Sequence, residues 1–124
     1  MLRLIAVFWL LLIAAPSRGA ELLMFEERGC PWCARWHAEI GPAYPNTDEG
    51  RRAPLRRLDI HAPRPEGIAL GPPLRLTPTF VLVERGREVG RITGYPGQDF
   101  FWGLLGELLA RRDGKSHDGP PPPH

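Results

Sequence analysis

The only two cysteines of this 124-residue chain stand at 30 and 33, within RGCPWCARW of residues 28–36, and the residue pattern changes on either side of them. Before them runs ELLMFEE, residues 21–27, apolar enough for a buried strand and ended by a turn at Gly29. After them Cys33, Trp36 and Ile40 recur at helical spacing. Pro31 suits the first helical turn, because the N–H it lacks would find no partner there. Gly41-Pro42 stops the helix. Such a chain must fold with two thiols at the start of a helix that follows a buried strand. Those thiols can be a metal clip, an inert staple or a working dithiol.

Further along, residues 43–53 read as a loop, and PLRRLDI, residues 54–60, has the alternation of a second strand. Residues 61–75 hold four prolines and two glycines, which leaves room for at most one turn of helix around 66–70. TFVLVERGREVGRITGY, residues 79–95, is the clearest local signal: β-branched runs at 79–83 and 88–93 joined through Arg85-Gly86-Arg87 as a hairpin. Residues 99–112 place Phe101, Leu104, Leu105 and Leu108 on one face of an amphipathic helix. The predicted fold is α/β, in the order strand, helix, strand, short irregular crossover, strand, strand, helix. Its sheet is mixed, with about four strands and helices on its faces: a helical crossover favours a parallel first pair, and the hairpin adds antiparallel strands.

The N-terminus MLRLIAVFWLLLIAAPSRGA has Arg3, an apolar run over residues 4–15 and small residues near its end, the layout of a secretory signal spanning 1–19. Twelve apolar residues fall short of the ~20 that span a bilayer as a helix, so cleavage is expected, with an uncleaved anchor as the alternative. The working domain is then 20–112, outside the cytoplasm, and the Pro-rich segment 113–124 is expected to be a disordered tail. Removing the signal takes Arg3 and Arg18 from the 16 basic residues and leaves 14 against 14 acidic ones. A near-neutral domain has no electrostatic case for nucleic acid. The pairs Arg51-Arg52 and Arg56-Arg57, among Asp48, Glu49 and Asp59, read as a solvated face.

With Cys30-Pro31-Trp32-Cys33 between first strand and helix, Thr77-Pro78 just before the hairpin, and Gly86 and Gly94 at its turn and end, the chain resembles the thioredoxin superfamily from about residue 21 to 112. More narrowly, AELLMFEERGCPWCARWHAEIGPAYP with the later GYPGQDFFWGLL is similar to the small periplasmic thioredoxins of the SoxS type that accompany bacterial sulfur-oxidation genes. The resemblance implies a minimal thioredoxin fold. It also implies a cis bond at Pro78 and a Thr77 backbone free to pair with an extended substrate. A monomer is expected, acting on the disulfide of a partner protein such as one of sulfur oxidation, with electrons from a membrane thiol donor and no cofactor or resident metal.

Thiol–disulfide exchange needs a thiolate attacker, a second thiol to resolve the mixed disulfide, and access to only one of them. Cys30 at the helix start faces unpaired N–H groups and the positive end of the dipole, which favour a thiolate, so it is the expected nucleophile. Cys33, one turn in, is the expected resolving thiol, and Trp32 between them is a candidate for substrate docking. The chain departs from the family pattern in one respect that matters. Thioredoxins commonly carry a buried acid six positions before the first cysteine, and here that position is Met24. Glu26, Glu27 and His37 are the nearby candidates for the missing proton acceptor.

As a staple, so short a loop would stabilise little, since the effect grows with loop length. A copper- or zinc-binding carrier would use Cys30, Cys33 and His37 at i, i+3 and i+7, with His61 as a fourth donor. Zinc motifs usually bring a second paired knuckle, which is absent. A non-catalytic thioredoxin-fold interaction module is the remaining alternative. The reading these residues favour is a periplasmic thiol–disulfide oxidoreductase. Reduction is its favoured direction through the resemblance.

Overall fold

The computed structural model describes residues 19–114. Residues 1–18 of the expected signal (1–19) and 115–124 of the expected tail (113–124) lie outside the described residues. Strand β1 (Ala20–Glu26) leads into helix α1 (Pro31–Glu39). A 3₁₀ turn (Tyr44–Asn46) and a short helix α2 (Asp48–Arg52) follow, then β2 (Leu55–Asp59), the hairpin β3 (Thr79–Glu84) and β4 (Arg87–Thr93), and finally α3 (Gln98–Arg112). The sheet order is β2-β1-β3-β4, with β1 and β2 parallel and the other pairs antiparallel. This is the expected mixed sheet. The hairpin turns on Arg85 and Gly86, both at positive φ (51° and 78°), the two-residue geometry whose twist matches that of the strands.

Because side chains alternate across a strand, β1 feeds two cores. Leu22 and Met24 join Cys33, Trp36 and Ile40 of α1 and Phe101, Leu105, Leu108 and Leu109 of α3. On the opposite face Leu23 and Phe25 meet Val81 and Val83 of β3, covered by Leu58, Ile60, Ile68, Leu70 and Leu74. The helices thus gather on one face, and the irregular crossover 60–78 covers the other. Backbone bonds pin that crossover to the hairpin: Ala69 N–H donates to Gly86 O (2.7 Å) and Glu88 N–H to Ala69 O (3.1 Å). The Glu88 carboxylate adds bonds to Gly71 N–H (3.0 Å) and to the Arg91 guanidinium.

Three expectations need correcting. Residues 43–53 are not a plain loop. Thr47 Oγ1 caps α2 by accepting from Gly50 N–H (3.0 Å), Asp48 and Glu49 lie at the positive end of the helix and Arg51 and Arg52 at its negative end. Within the crossover no helix forms, in keeping with the bound of at most one turn around 66–70, and Ala69 pairs with the hairpin beside Arg87. On α3 the buried stripe is Phe101, Leu105, Leu108 and Leu109, and Leu104, 38% exposed, falls at its edge. Asp113, placed by composition at the start of the tail, closes α3 and pairs with Arg52.

Candidate active site

Glycine at 29, with φ of 75°, turns the chain from β1 into α1 and sets Cys30 at the N-cap. There Cys30 Sγ accepts the Cys33 N–H at 3.1 Å, as a capping oxygen would. A donor aimed at sulfur, together with the positive helix end, favours the thiolate at this position. Cys30 and Cys33 are joined as a disulfide with Cα atoms 5.3 Å apart. Cys30 is half-buried, whereas Cys33 is 4% exposed and packs into the core beside Trp36. The two sulfurs therefore differ in access.

Trp32, 52% exposed, stands out from the turn between the cysteines, with the Arg35 guanidinium 5.5 Å from its ring centre. It lines one groove with Leu76, Thr77, Thr93, Gly94, Tyr95 and Pro96. The Thr77-Pro78 bond is cis, and Pro78 is buried, its carbonyl accepting from Gly94 N–H (2.7 Å). Among the described residues the Thr77 N–H and C=O make no backbone hydrogen bond. The groove thus combines exposed apolar surface, Trp32 and Leu76, with an unpaired peptide unit able to bond an extended chain.

A second cleft, of about 450 Å³, opens on the other side of the dithiol and is lined by Cys30, Cys33, His37, Glu26, Glu27 and Arg57 among others. Met24 is fully buried. Of the three candidate proton acceptors, the fold brings two together: His37 Nε2 lies 2.5 Å from Glu26 Oε1. Glu27 turns away to the His61 side, 3.5 Å from its Nε2. Arg57 of β2, read in the sequence as part of a solvated cluster, donates to Glu26 Oε2 at 2.6 Å. Burial alone would raise the Glu26 pKa, but hydrogen bonds from Arg57 and His37 outweigh it and hold the carboxyl below its ordinary range. The partnership of Glu26 with Arg57 was legible only through strand pairing, which sets β2 beside β1. Among the described residues no three His, Cys, Asp or Glu side chains are grouped to hold a metal ion.

A pair of cysteines that can close and open at a helix start, one reachable and one shielded, beside a groove with free backbone, is the working part of a thiol–disulfide oxidoreductase. The sheet that carries it is the thioredoxin fold near its smallest. No family model matches the chain, and no curated protein does. Among solved structures, sixteen chains match. The crystal structure of the periplasmic thioredoxin SoxS from Paracoccus pantotrophus, in its reduced form, is 54% identical, with a TM-score of 0.74 over 75% of this chain and 98% of that one. The protein described here belongs to that SoxS family of thioredoxins. A thioredoxin-fold protein from Helicobacter pylori (21% identical, TM-score 0.58, 86% of this chain and 76% of that one) shares the fold. So does the thioredoxin Mala s 13 of Malassezia sympodialis (18% identical, TM-score 0.50, 74% and 76%).

Proposed function

We propose that this protein works in the periplasm as a reductant of disulfides or mixed disulfides on a partner protein. In the first step the Cys30 thiolate attacks one sulfur of the partner disulfide, forming a Cys30–partner mixed disulfide and releasing the other partner sulfur as a thiolate. Cys33, deprotonated, then attacks Cys30 Sγ; the Cys30–Cys33 bond forms, the second partner thiolate leaves, and two electrons have passed to the partner. The observation that carries this assignment is the asymmetry of the pair: Cys30 half-exposed at the N-cap with an N–H on its sulfur, Cys33 buried behind it. Trp32, Thr77 and Pro78 form the docking side, where an extended partner segment bonds the Thr77 peptide unit and packs on Trp32.

The periplasmic setting is supported by the signal-like residues 1–19 and by the likeness to the periplasmic thioredoxin of Paracoccus. No helix among the described residues is long and apolar enough to cross a membrane. On this reading 20–112 is the working domain, active as a monomer. A sulfur-oxidation protein is the partner, and a membrane thiol protein returns the electrons. The test is a pair of variants. Cys30→Ser should abolish reduction of insulin disulfides, whereas Cys33→Ser should retain the first attack and accumulate a mixed disulfide with the natural partner, visible on a non-reducing gel. Equal alkylation rates at the two thiols near neutral pH would reverse the assignment. A natural protein inert toward insulin and toward its partner would leave only the interaction module.

A further inference from the structure

Resolution of the mixed disulfide requires Cys33 to lose a proton, and a thiol shielded in an apolar core gives it up reluctantly. Met24 offers nothing to take it. We propose that His37 accepts the Cys33 proton and that Glu26 is the positioning residue that holds its imidazole for the task, an inference that rests on the roles given above to Cys30 and Cys33.

Four observations converge on it. Glu26 lies two residues beyond Met24 on β1, and the period of a strand puts both on the face that packs against α1. His37 lies four residues after Cys33 on α1, hence on the same helix face, and helical side chains lean toward the preceding turn, which here carries Cys33. His37, Glu26 and Cys33 line one open cleft, roomy enough for a water bonded by the His37 and Glu26 side chains. Finally, in the 2.5 Å contact between His37 Nε2 and Glu26 Oε1 the carboxylate accepts from Nε2–H, which in the neutral imidazole leaves Nδ1 the lone pair that takes up a proton.

The surroundings fit that role. Arg57 from β2 bonds Glu26, and its positive charge keeps the carboxylate ionised. The Trp36 ring stands edge-on to the imidazole, 5.2 Å between centres, and walls the apolar side. Glu27 and Arg57 are the other charged groups lining the cleft, which Cys30 also lines. Arg28 and Asp59 line the adjoining cleft beyond Glu27. In the step itself the Cys33 S–H bond breaks, its proton passes through cleft water to His37, and the thiolate attacks Cys30 Sγ as written above. The proton leaves His37 to solvent once the partner has departed.

Ellman's reagent separates the two steps in one stopped-flow trace of the reduced full-length protein. The first equivalent of nitrothiobenzoate reports attack by Cys30, and the second reports its displacement by Cys33. His37→Gln should slow the second phase about tenfold or more near pH 7, within the ordinary worth of a positioned base, and the deficit should shrink as pH rises past the free-thiol range. Glu26→Gln should slow it less and move the pH midpoint of the second phase. A second phase with the natural rate and pH profile in both variants overturns the inference. So does an equal slowing of both phases, which is what loosening of the α1–β1 contact alone would do. Should His37→Gln fail to fold, Glu26→Gln decides by the same pH midpoint. Failure of the underlying roles looks different: a first phase that survives in Cys30→Ser, or a second phase that survives in Cys33→Ser.

Discussion

Glu26 carries two charge-assisted contacts, Arg57 on one oxygen and His37 on the other, and ties β1, β2 and α1 together at the end of the sheet nearest the dithiol. Because Arg57 is well exposed, solvent screens its share, and Glu26→Gln should cost about 1 kcal/mol at pH 7 rather than the upper range for charged hydrogen bonds. The sign of its pH dependence follows from the depressed pKa. A carboxyl ionised more readily in the folded chain than in the unfolded one contributes fully above the ordinary glutamate value of ~4.3 and loses that contribution as pH falls through its lower folded value. Denaturant titrations of both proteins at pH 7 and near pH 3 check this, and the gap should narrow toward the acid end. At this scale the sequence named Glu26 and His37 but offered no reason to pair them. Residues 11 apart on a strand and a helix meet only if the intervening turn folds the helix back along the strand.

Between elements, the point of greatest tension is the turn of the hairpin against the crossover. Gly86 has a φ of 78°, and a Cβ there would lie 2.0 Å from the Gly67 carbonyl oxygen, so both conformation and contact demand glycine. Gly86→Ala should destabilise by about 2 kcal/mol or more, combining the left-handed penalty with displacement of 60–78 from the sheet. A denaturation midpoint within error of the natural protein's would contradict the close approach. The hairpin itself was legible, since Arg85-Gly86 between β-branched runs is local chemistry. Helix α2 was not, because five residues, DEGRR, contain no apolar periodicity. Its signals were Thr47 as a cap and charges of the right sign at each end, and these look the same on a solvated loop. What selects the helix is Gly50, where an added Cβ would fall 1.8 Å from the Tyr44 carbonyl oxygen. The 3₁₀ turn and α2 therefore pack backbone to backbone.

For the molecule as a whole, the two central strands β1 and β3 are buried on both faces, while β2 and β4 are edges and the second face has only an irregular cover. Local opening should follow that order. Hydrogen exchange should find the amides of β1 and β3 slowest, near the global limit, and those of β2 and residues 61–74 opening well below it. Uniform protection across the sheet and crossover would show the cover to be as cooperative as a helix. The order of strands, the helix behind Cys30 and the thioredoxin resemblance were determined by the sequence alone. Each depends on periodicity, on a proline or glycine at a fixed place, or on two thiols three residues apart, all of which act over a few residues. What covers the second face, where Glu27 turns, and the gathering of Glu26, His37 and Arg57 beside Cys33 were decided by the tertiary structure. These pairings join residues distant in sequence, and no local preference specifies them. They exist because parallel pairing of β2 with β1 and the packing of α1 on the shared face bring these three side chains to one end of the sheet.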